Sequence, residues 1–65
     1  MGATAEQYMT ISQNFRRAAE GHRRLARQTK NPRSRTIDLH LAAKNDAEAD
    51  RYAACAAERE KVEYI

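Results

Sequence analysis

Two histidines, one cysteine and a dense run of basic residues are the side chains of this 65-residue chain whose chemistry could amount to a site. His22, His40 and Cys55 are three potential metal ligands. They form neither an H-E-x-x-H nor a C-x-x-C arrangement, the spacings that bring ligands onto one helix face or around one loop. No metal and no cofactor are therefore expected. Cys55 has no neighbouring base and falls inside a helical pattern, which marks it as a small packing residue rather than an activated thiolate. Asp46, Glu48 and Asp50 stand two residues apart. That spacing turns them to different sides of a helix, and they read as a solvated face. There is no G-x-S-x-G and no phosphate-binding glycine loop, so the chain is not expected to be an enzyme.

The basic run is the stronger lead. Residues 23–35, RRLARQTKNPRSR, hold Arg23, Arg24, Arg27, Lys30, Arg33 and Arg35 and no carboxylate. The net charge is +3, but residues 16–35 carry eight basic groups against Glu20 alone, whereas residues 36–65 carry four basic and seven acidic groups. Arg23, Arg24, Arg27 and Lys30 suit the end of a first helix, where cations face the negative pole of its dipole. Arg33 and Arg35 fall in the first turn of a second helix, where carboxylates are normally preferred. Beside the unpaired N–H groups expected there, these two arginines suggest a pocket for a phosphate or a partner's carboxylate. On this reading, replacing both by Glu stabilises the isolated chain slightly.

The helices that carry these residues are readable from their ends. Thr4-Ala5-Glu6-Gln7 is a capping box. From it an apolar stripe runs Tyr8, Ile11, Phe15, Ala18, His22, Leu25, alternating steps of three and four. This predicts one helix over residues 4–28 that continues through Gly21. Asn31-Pro32 is the next start signal, an N-cap followed by proline in the first helical position. A second helix is predicted over 32–62, with an apolar stripe of Ile37, Leu41, Asn45, Ala49, Tyr52 and Ala56. The connection, 29–31, is short enough to force an antiparallel hairpin, an all-α fold of one domain.

Small residues recur at every seventh position: Ala5, Ser12, Ala19 and Ala26 in the first helix, Ala42, Ala49 and Ala56 in the second. Folding the chain about the turn sets Ala5 against Ala56, Ser12 against Ala49 and Ala19 against Ala42. Such a seam lets helix axes approach closely, at the low end of the ~8–10 Å range. Tyr8, Ile11, Phe15, Leu41 and Tyr52 then flank the seam, where a lone hairpin covers them poorly. Chains below ~70–80 residues usually need a staple. One cysteine supplies no disulfide, so a homodimer forming a four-helix bundle of coiled-coil-like helices is the expected solution. His22 and Asp38 come together near the turn in the same arrangement.

Ala19-Glu20-Gly21-His22-Arg23-Arg24-Leu25-Ala26, Thr29-Lys30-Asn31-Pro32-Arg33-Ser34-Arg35 and Leu39-His40-Leu41-Ala42 follow one another in this chain. They resemble a group of short bacterial proteins with the pattern A-E-x-x-R-R-L-A, T-x-[DN]-P-x-x-R, L-x-L-A. The resemblance spans residues 19–49 and departs at Asp38, where an aliphatic is common, and at Asn45, where an aromatic is. It implies an α-hairpin and carries no activity.

The segment MGATAEQYMTIS has neither a basic region nor an apolar run, Glu6 breaks a myristoylation motif, and no stretch approaches the ~18 apolar residues of a membrane span. A cytoplasmic protein without membrane association is expected. The composition and the basic tip together suggest a small interaction or regulatory module that self-associates and docks an acidic protein surface. The alternative is a hairpin dimer bound to RNA or DNA phosphates, which would have no aromatic stacking platform at the tip.

Overall fold

The computed structural model describes residues 2–63, which form two helices, α1 (Ala5–Gln28) and α2 (Pro32–Glu63). They pack against each other as an antiparallel hairpin, a rod 53 × 16 × 13 Å.

Each end of α1 is held by local hydrogen bonds. Thr4 is extended and caps α1: its Oγ1 accepts from the Gln7 N–H at 3.1 Å, and Gln7 Oε1 accepts from the Thr4 N–H at 2.9 Å. The reciprocal bonds satisfy two amides that a helix start leaves free. At the other end Thr29 leaves α1 in an extended conformation while its N–H still donates to Leu25 O at 2.9 Å. Asn31 then starts α2. The reversal uses no residue with positive φ among those described.

The core is a line of methyl groups. Ala5, Ala19, Ala26, Ala42, Ala49 and Ala56 are buried, and Ser12 is the one buried polar residue among those described. Ala19 and Ala49 have no exposed surface at all. Ser12 Oγ donates across the seam to Ala49 O at 2.7 Å, so its hydroxyl is satisfied against the opposite backbone. That contact requires closely approaching helices, which larger side chains in this line would prevent.

The larger apolar groups lie beside the seam. In α1, Tyr8, Ile11 and Phe15 are half-buried, but Leu25 is 52% exposed. The stripe expected for α2 is corrected more sharply: Ile37 is 54% and Leu41 37% exposed. The cause is the scatter of apolar residues around α2, which has almost no amphipathic bias, in contrast to α1. Ile37, Leu39 and Leu41 follow at steps of two, a spacing that no single helix face can collect.

The two sides of the seam differ in chemistry. One is ionic: Arg16 Nη2 pairs with Asp50 Oδ1 at 2.9 Å and Arg23 Nη1 with Asp46 Oδ2 at 2.7 Å. Asp46 and Asp50, one turn apart, thus share a side and each meets an arginine of α1, which corrects the expectation of a merely solvated set. The other side is aromatic. Tyr52 stacks on Phe15 with centroids 5.7 Å apart and lies 6.2 Å from Tyr8.

Candidate functional site

At the tip, the turn accounts for the amides that α2 would otherwise leave free. Pro32 has none, and Asn31 Oδ1 accepts from the N–H groups of Arg33 at 2.9 Å and Ser34 at 3.4 Å. The next N–H, of Arg35, donates to Asn31 O at 3.0 Å. The pocket lined by free helix amides is therefore corrected: an N-cap asparagine already fills it.

The six basic residues divide into two kinds. Arg35 reaches back across the turn, donating from Nε to Ala26 O at 3.3 Å and from Nη2 to Thr29 O at 3.1 Å. It closes the carbonyl end of α1, so its charge meets a negative helix terminus instead of opposing a positive one. Arg23 is held by Asp46 and by Glu20, whose Oε1 lies 3.1 Å from Nη2. These carboxylates, Asp46 foremost, raise its already high pKa. Arg24, Arg27, Lys30 and Arg33 are exposed and, among the described residues, have no carboxylate within ion-pair distance. An open groove of about 530 Å³ runs along the ionic side of the tip, lined by Arg23, Ala26, Arg27, Arg35 and Leu39.

The aromatic side brings together four of the five residues expected to mediate self-association. Tyr8, Phe15 and Tyr52 form one cluster, and Ile11 lines an adjoining groove with Phe15, Ala18 and Asn45. Leu41 stands two seven-residue steps before Cys55, which shares a groove with Tyr8 and Val62 on this side. Toward the tip, His22 Nδ1 lies 3.1 Å from Asp38 Oδ1 with both side chains largely covered, as the fold-over of the chain predicts. Arg24 and Leu25 border the same stretch.

The cross-helix partners Arg16, Asp46 and Asp50 are not apparent from either helix taken alone. The signal lies in the fold-over: with Ser12 opposite Ala49, residues 16 and 45 are level, and an acidic pair one turn apart falls beside Arg16 and Arg23. Among the described residues, no three His, Cys, Asp or Glu side chains are grouped to hold a metal ion, and no helix is long and apolar enough to cross a membrane. Cys55 is half-buried and unpaired. Compared with known proteins, the chain matches no family model, no curated protein and no solved structure.

Proposed function

We propose that this chain is a non-enzymatic interaction module of regulatory type, which self-associates through its aromatic side and docks an acidic protein surface with its basic tip. The observation that carries this reading is the unequal use of charge. Along the shaft, Arg16, Arg23, Arg51 and Lys61 have a carboxylate partner and Arg17, Lys44 and Arg59 have none among the described residues, whereas at the tip Arg24, Arg27, Lys30 and Arg33 crowd together without one. Like charges held together without compensation are a cost to the isolated fold and an attraction to an anionic partner. Self-association is supported by the size of the core. Among the described residues the buried hydrophobic ones are all alanine, while Met9, Leu25, Ile37, Leu39, Leu41 and Val62 are at least 37% exposed. Pairing two hairpins into a four-helix bundle would cover much of that surface.

A second reading, binding to nucleic-acid phosphates, uses the same four cations. The described aromatic residues lie away from the tip, so stacking would contribute nothing there and binding would depend steeply on salt. Affinity capture with the intact chain, followed by mass spectrometry and by measurement of 260/280 nm absorbance, distinguishes the two. An acidic protein lost when Arg24, Arg27, Lys30 and Arg33 are changed to Gln supports the first. Nuclease-sensitive 260 nm absorbance lost in the same variant supports the second. Capture unaffected by the changes removes the tip from either role.

A further inference from the structure

We infer that the aromatic side is covered by a second copy of this chain laid antiparallel, so that the basic tip of each protomer lies along the acidic open end of its partner. This rests on the self-association proposed above and adds to it the orientation and the identity of the acidic surface.

The charge along the rod argues for it. The pairing of Ser12 with Ala49 and of Ala26 with Arg35 places the midpoint of the hairpin between the levels 16/45 and 17/44. The tip half, residues 17–44, carries eight basic and two acidic side chains, a formal +6. The open half, residues 2–16 and 45–63, carries four basic and seven acidic ones, a formal −3. Two rods side by side at the ~8–10 Å spacing of packed helices are about one Debye length apart at physiological salt, so the ends still feel each other. A parallel pair sets +6 against +6. An antiparallel pair sets +6 against −3 at both ends, and its two-fold symmetry closes the assembly at two copies.

The choice of side follows from what each side already contains. The ionic side already holds two internal pairs across the seam, Arg16 with Asp50 and Arg23 with Asp46. The aromatic side presents Tyr8, Ile11, Phe15 and Tyr52 with no element over them. A face 53 by 16 Å offers on the order of 800 Å², the amount one partner gives to a stable interface of ordinary size. The groove toward the tip is bordered by Arg24 beside Leu25, and the groove toward the open end by Glu58 together with Arg51 and Arg59 beside Val62.

Distance measurement between spin labels tests the orientation. Gln28→Cys in a Cys55→Ser background labels the exposed tip end of α1. Antiparallel protomers place the two labels roughly 40 Å or more apart, near the length of the rod, whereas parallel protomers place them within about 25 Å. Sedimentation equilibrium of the parent chain is run alongside. A monomer overturns self-association and the orientation with it; a dimer with the short distance overturns the orientation alone. The charge argument has its own sign: Arg24→Glu raises the dimer Kd roughly threefold at low salt in the antiparallel assembly, where it puts a carboxylate against an acidic end. In a parallel assembly the same change relieves repulsion and lowers Kd, and an unchanged or lowered value overturns the inference.

Discussion

Arg33 and Arg35 stand in the same helical turn and act in opposite ways. Arg33 gives only its backbone N–H to Asn31 Oδ1, while the guanidinium of Arg35 closes Ala26 O and Thr29 O. The first turn of α2 contains no acidic residue. Arg33→Glu therefore places a favourable charge beside the helix N-terminus and should raise stability by about 0.3–1 kcal/mol at low salt. Arg35→Glu removes two donors and turns a carboxylate toward carbonyl oxygens, and should lower stability by at least about 1 kcal/mol. Urea unfolding of the two single variants reads this directly, and shifts of the same sign would refute the division. The tip was legible in the sequence as a cluster, but its members looked alike because each was read on its own helix. Arg35 differs through what lies opposite: one seven-residue step back from Ala42 arrives at Arg35, level with Ala26. Arg23 is the same case, since Asp46 reaches it only after the chain has turned.

The helices themselves were written more openly. Thr4-Ala5-Glu6-Gln7, Asn31-Pro32 and the seven-residue recurrence of small side chains are local or strictly periodic, and each has its counterpart in a cap or in the buried seam. The apolar stripe of α2 was misleading because burial there follows the alanines, not the largest side chains. Two substitutions follow from this packing. Ala49 has no exposed surface and accepts the Ser12 hydroxyl at its carbonyl, so Ala49→Leu should force the helices apart and cost about 1–3 kcal/mol. A melting temperature unmoved by that change would mean the seam is looser than its burial indicates. Gly21 is the converse. It lies within α1 without a positive φ, and a Cβ there would meet nothing within 4 Å. Gly21→Ala should raise stability by about 1 kcal/mol in thermal or urea melts at low concentration. A loss that grows with protein concentration would show that a second chain approaches Gly21 closely.

Taken as one body, the hairpin is a narrow rod with a basic end, an acidic end and a single side of aromatic character. If that side is an interface, the melting temperature should rise with concentration over the micromolar range, since folding and association are then linked. A melting temperature independent of concentration would leave a monomer held by its seam and caps alone. The alanine seam also has a calorimetric consequence. Unfolding a lone hairpin hydrates little carbon surface that was not already wet, so its heat-capacity change should fall below the ~12–15 cal/mol/K per residue of ordinary globular domains. Its free energy would then bend only weakly with temperature: a broad, gradual loss on heating and little weakening in the cold. Whatever covers the aromatic side would add the missing curvature. The thermal behaviour of this protein would then be set less by its own interior than by any surface that covers that side.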